Sequence, residues 1–148
     1  MKKGNLFASA MILLLLVVIG WIVFAMLEYR TDRNYDFNQT KTDESQIASA
    51  LEAYSYTYGA FPPGNTESIE RILSGEDLNG KNSRKIQFLI FRRSIEHSNE
   101  MVDPWGTPYA ISFLSTNSFV ISSAGKGKIF GDKDDIIFNS VSNDFVKP

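Results

Sequence analysis

Leu6–Leu27, LFASAMILLLLVVIGWIVFAML, is a run of 22 residues without a charge, and its reading decides how the rest of the chain is used. As an α-helix rising about 1.5 Å per residue it reaches roughly 33 Å, enough to cross a hydrocarbon layer of about 30 Å. Lys2 and Lys3 precede it with no acid nearby, whereas Glu28, Arg30, Asp32 and Arg33 follow with mixed sign. The excess of positive charge on one side predicts a cytoplasmic N-terminus and an exoplasmic remainder. Trp21 and Tyr29 flank the outer end, where amphipathic rings favour the interface. A cleaved signal peptide is the competing reading, because Val23-Phe24-Ala25 offers small residues for a peptidase after Ala25. Signal cores run to only about 7–15 apolar residues, so the length of this run favours a retained anchor. Gly20 has Leu16 and Phe24 four positions away, so the run carries no GxxxG pairing motif.

Outward from the run, the chain has 148 residues, which leaves one domain's worth beyond the membrane segment. Four segments are expected: a cytoplasmic tip at 1–5, a transmembrane helix at 6–27, a helical stalk and head helix at 28–60, and a globular domain at 61–148. From Glu28 to Pro148 there are 17 acidic and 13 basic residues, a net charge of −4, which makes nucleic acid a poor partner. With no cysteine, the head has neither a disulfide nor a lipid-modified cysteine, and packing or a bound ion must stabilise it.

Between Trp21 and Tyr58 there is neither proline nor glycine, so nothing stops the first helix at the membrane surface. Ile47, Leu51, Tyr54 and Tyr58 recur at helical period with Ala48, Ala50 and Ala53 alongside, which predicts a face packed on a core. Tyr56 lies off that face and is available to a neighbouring subunit. Gly59 suits a C-terminal cap and Pro62-Pro63 forbids continuation. Asn65 or Thr66 is expected to cap a short helix over Glu67–Leu73. The apolar run Ile86–Phe91 reads as a strand, Tyr109–Leu114 and Phe119–Ser122 as a hairpin around Ser115–Ser118, and Ile136–Phe138 as a last strand. The expected fold class is α+β, a long N-terminal helix packed on a small antiparallel sheet.

Asp103-Pro104-Trp105-Gly106-Thr107-Pro108-Tyr109 places Asp at i, Pro at i+1 and Gly at i+3 of a type I turn. Ser122-Ser123-Ala124-Gly125 leads into a glycine-punctuated loop closed by Asp132, Asp134 and Asp135. Three carboxylates within four residues read either as a solvated acidic turn or as a cation site. His97 is the only histidine and there is no cysteine, so a zinc site, a catalytic triad or small-molecule chemistry has little to stand on. Arg92-Arg93 beside Arg84 and Lys85 reads as a solvated strand end.

The N-terminal span, the stripe running into Tyr54-x-x-x-Tyr58-Gly59-x-Phe61-Pro62, the Asp103–Tyr109 turn and the acidic Ser-Ala-Gly loop, taken together, resemble the major pseudopilin of type II secretion systems. The resemblance implies a pilin-like subunit without enzymatic activity. Its helix would pack into a filament in the inner membrane, with other secretion-system subunits, copies of itself and membrane lipid as partners. It also implies a calcium ion in the last loop, for which Asp132, Asp134 and Asp135 are the candidate ligands, although Gly127 stands where similar loops often carry an aspartate. Such proteins are processed after a glycine followed by Phe-Thr-Leu-x-Glu. Here Gly4 is the candidate processing site, but Asn5-Leu6-Phe7-Ala8-Ser9 follows it, without that phenylalanine or glutamate. A tethered binding module that presents its head without polymerising is the alternative expectation.

Overall fold

The computed structural model describes residues 3–90 and 100–146, with the side chains of 3–10 and 29–33 outside that description. His97, Arg92 and Arg93 therefore lie outside the described residues, as does Phe91 at the end of the expected strand. By its internal contacts the chain divides into two compact units, residues 1–35 and 36–148.

Helix α1 runs unbroken from Lys3 to Tyr58, as the absence of proline and of any glycine beyond Gly20 allows. In the first unit, Met11–Glu28 has a mean hydropathy of 2.7, and none of it is buried by the rest of the protein. The helix is thus long and apolar enough to cross a membrane, and its apolar side chains point outward on all sides, as lipid requires and water does not.

In the second unit the same helix becomes two-faced. Thr40, Asp43, Glu44, Ile47, Ala48, Leu51 and Tyr54 form a buried stripe, while Ser45, Ser49 and Glu52 stay exposed. The helix ends where Gly59 takes a φ of +79° and its N–H bonds the Ser55 carbonyl at 2.8 Å. Helix α2, Thr66–Leu73, starts from Asn65, whose Oδ1 accepts the Ser68 N–H at 3.1 Å. It buries Ile69, Ile72 and Leu73.

The loop after α2 is held by Asn82, which is fully enclosed. Its Nδ2 donates to the carbonyls of Ile72 and Ile86 at 2.9 and 2.8 Å, and its Oδ1 accepts from the Tyr58 hydroxyl and the Ile86 N–H at 2.9 and 3.0 Å. This capture corrects the strand expected over Ile86–Phe91. Residues 86–90 join no sheet, because the N–H groups of Phe88 and Leu89 both bond the free carbonyl of Leu73 at the end of α2.

The sheet is an antiparallel meander in the order β1 (Ala110–Ser115), β2 (Ser118–Ser123), β3 (Ile136–Asn139) and β4 (Asp144–Val146). The first three match the expected stretches, and β4 is an addition. Ile111 faces Ile121 across β1 and β2, and Phe138 lies between Ile121 and Phe145. Both outer strands are curtailed. On β1 the Ile111 N–H is taken by Thr66 Oγ1 at 3.4 Å and the register breaks between Phe113 and Ser115, while β4 has only three residues. Tyr109, Phe119, Ile121 and Phe138 pack against Ile47, Leu51, Ile69, Ile72, Leu73, Leu89 and Met101. Each large side chain so enclosed contributes about 1.5–3 kcal/mol. The fold is α+β, a long helix and a short one on a four-stranded antiparallel sheet.

Candidate functional site

The Asp103–Tyr109 turn is built around its first residue. Asp103 is 1% exposed, and its Oδ1 accepts the N–H groups of Trp105 and Thr107 at 3.0 and 2.8 Å. The Gly106 N–H closes the turn on the Asp103 carbonyl at 2.9 Å, with Gly106 at φ +85°. The other carboxylate oxygen, Oδ2, accepts the Ser123 hydroxyl at 2.6 Å, and Ser123 Oγ in turn accepts the Gly125 N–H at 3.0 Å. Tyr109, which ends the turn, donates its hydroxyl to Asp43 Oδ2 on α1 at 3.0 Å. The two most distinctive motifs of the sequence thus meet at one buried polar junction, joined to the head helix through Asp43.

Glu44 sits in the same junction, fully enclosed, with no hydrogen-bond partner for either oxygen among the described residues. Burial is the main reason its pKa rises from 4.5 to about 9. The Ser123 main-chain N–H opposes the rise without reaching hydrogen-bond geometry, and Asp43 and Asp103 add to it. A second buried carboxyl, Glu70 on α2, accepts the Met101 N–H at 2.9 Å through Oε2 and leaves Oε1 without a partner among the described residues. Burial again comes first in raising its pKa, to about 7. Neither residue was foreseen as special in the sequence. The available signal was period, since Glu44 falls three residues before Ile47 on the packed stripe.

Beyond Ser123 the chain makes a turn of 3₁₀-helix at Gly125–Gly127, with Lys128 left-handed at φ +58°. Gly125 has the same φ, and a Cβ there would run into the Asp134 carbonyl. A Cβ on Gly127 would meet the Asp132 carboxylate, so the residue that departs from the expected pattern is the one this carboxylate covers. Asp132 Oδ1 accepts the Asp134 N–H at 2.7 Å, and Asp135 Oδ2 accepts the Gly131 N–H at 2.7 Å. Asp134 is exposed. Asp132 and Asp135 thus close the loop on its own backbone, and among the described residues no three histidine, cysteine or acidic side chains converge on a metal-sized point. One oxygen is left over: Asp135 Oδ1 is buried and has no partner among the described residues.

Tyr54 and Tyr58 lie 4.7 Å apart, centroid to centroid, and both ring hydroxyls hold the loop after α2, Tyr54 through the Lys81 carbonyl at 2.6 Å. Tyr56 is 95% exposed, on the opposite side from the packed stripe. Gly4 lies in the first turn of α1. A shallow, open groove lies beside α1, between Lys41, Ser45 and Ser49 on the helix and Phe88 and Leu89.

These features define a class: a small α+β head joined to a helix capable of spanning a membrane. No family model matches the chain, and no curated protein matches it. Among solved structures the chain is similar to the crystal structure of the major pseudopilin from the type 2 secretion system of enterohaemorrhagic Escherichia coli. The identity is 21%, the match covers 72% of this chain and 89% of that one, and the TM-score is 0.47.

Proposed function

We propose that this protein is a structural subunit, not an enzyme, of a type II secretion system or a related type IV pilus-like assembly. It is held in the cytoplasmic membrane by the first half of α1, with its N-terminus cytoplasmic and its head exoplasmic. The observation that carries this reading is the continuity of α1, whose apolar and unburied stretch at Met11–Glu28 runs without a break into the stripe that forms the head's core. A helix of that kind gives lipid one end and a folded domain the other, which suits a subunit whose partners are membrane lipid, further secretion-system subunits and copies of itself. Intact-mass measurement on the protein from its own host's membranes tests the processing step. A mass lacking Met1 to Gly4 supports assembly as a processed subunit, and a full-length mass overturns it.

The second reading, a tethered module that presents its head to exported proteins without polymerising, is favoured by Asn5–Ser9, which lack the glutamate of processed subunits. Cysteines introduced singly over Ile12–Val18 separate the two, since the native chain has none. Efficient disulfide cross-linking between copies supports polymerising helices, and its absence supports the tethered module.

Calcium binding by Asp132, Asp134 and Asp135 is a further part of the proposal, and the unpartnered Oδ1 of Asp135 is what supports it. A calcium-dependent rise in melting temperature that disappears in a D134A/D135A variant would bear it out. Without such a rise, Asp132 and Asp135 serve loop closure alone.

A further inference from the structure

Three carboxyl groups share the buried junction of α1, the 103–108 turn and β2, and they are not equivalent. Asp43 is satisfied by the Gln39 side-chain amide at 2.9 Å on Oδ1 and by Tyr109 on Oδ2. Asp103 accepts two main-chain N–H groups and the Ser123 hydroxyl. Both therefore sit in donor sets that suit a carboxylate anion. Glu44 is as deeply enclosed as either and has no donor for either oxygen among the described residues.

The charged and titratable groups facing Glu44 give an anion little support. From its own helix come Asp43 and Lys41, from the turn Asp103, and from β2 only the main-chain N–H of Ser123. Lys41 is the sole cation of the set, and its ammonium is held over the rings of Phe37 and Phe145, 4.8 and 4.6 Å from their centroids. An ionised Glu44 would be an unpaired buried charge beside two other carboxylates, the costliest arrangement a core can hold. Protonation removes that charge.

We propose that the junction closes only with a proton on Glu44, so that folding of the head takes up a proton and the junction tightens as its surroundings acidify. The raised pKa sets the window. The unfolded chain releases this proton near pH 4.5 and the folded chain near 9. The stabilisation is fully present below the lower value and is lost as pH rises through the higher one, the unfolding constant growing by up to about tenfold per pH unit between them. Glu70 adds a similar slope that ends near pH 7. Above that, the slope belongs to Glu44.

The test is urea unfolding of the full chain in detergent micelles, followed by tryptophan fluorescence between about pH 7.5 and 8.5. The wild type is expected to show an unfolding constant that rises about tenfold over this interval, and Glu44→Gln, which keeps the shape and cannot ionise, is expected to be nearly flat. An E44Q slope equal to that of the wild type overturns the proposal. If E44Q does not fold, the wild type alone decides. Unfolding it at about pH 8 in unbuffered solution should release about one proton per chain, and release of none overturns the proposal.

Discussion

Replacing Asn82 by alanine tests the packing of the head more sharply than any apolar truncation. The side chain makes four hydrogen bonds, to the carbonyls of Ile72 and Ile86, the N–H of Ile86 and the hydroxyl of Tyr58, in a site with no exposure. Each such bond contributes about 0.5–1.5 kcal/mol, and every partner left without a replacement in a dry site costs more. Asn82→Ala is therefore expected to cost about 3–5 kcal/mol, a large share of the roughly 5–15 kcal/mol that holds a typical domain. For a head of this size that is a fall in melting temperature of about 10–20 °C. Differential scanning fluorimetry of the full chain in detergent reads it directly. Asn82→Asp is the companion variant, because it keeps the two accepted bonds and turns both donated ones into contacts between a carboxylate and a carbonyl. A loss below about 1 kcal/mol in N82A would show that Asn82 is not what holds the loop to α2 and would refute the reasoning.

Gly125→Ala combines a left-handed φ with a collision at the Asp134 carbonyl, and is expected to cost at least about 1–3 kcal/mol in urea unfolding, whereas alanine at the open Gly20 collides with nothing. Glu70 has a folded pKa raised to about 7, so its contribution is full below pH 4.5 and is lost as pH rises through 7. Glu70→Gln retains an oxygen for the Met101 N–H and should flatten that part of the wild type's decline in melting temperature. Tyr56→Ser removes a ring that is 95% exposed and should change stability by less than about 0.5 kcal/mol, so any loss of cross-linking between copies in that variant would report a subunit contact.

The parts of the fold governed by local rules were legible in the sequence. The long apolar helix, the stripe through Ile47, Leu51 and Tyr54, a cap at Asn65 or Thr66 and the two strands of the hairpin all follow from hydropathy, period or capping chemistry. Elements decided by distant partners were not. Ile86–Ile90 has strand composition, yet its N–H groups are taken elsewhere, Ile86 by Asn82 Oδ1 and Phe88 and Leu89 by the Leu73 carbonyl at the end of α2. β4 consists of Asp144, Phe145 and Val146, too short and too polar at its start to announce itself, and it exists because β3 offers an edge. The acidic loop drew attention because its carboxylates are close in sequence. The junction that encloses Glu44 joins residues 66 and 20 positions apart, through Asp43 with Tyr109 and Asp103 with Ser123, and no spacing rule brings them together.

The curtailed margins of the sheet matter wherever many copies of such a head are crowded together. An open strand edge is a template on which a neighbour's backbone can extend the ladder, and a row of such additions is the beginning of a fibril. With Thr66 holding the Ile111 N–H, a register break following Phe113 and only three residues in β4, neither margin offers a long, flat template. A head with such margins is guarded against strand addition at high concentration, so that any contact between copies would have to be made through side-chain surfaces.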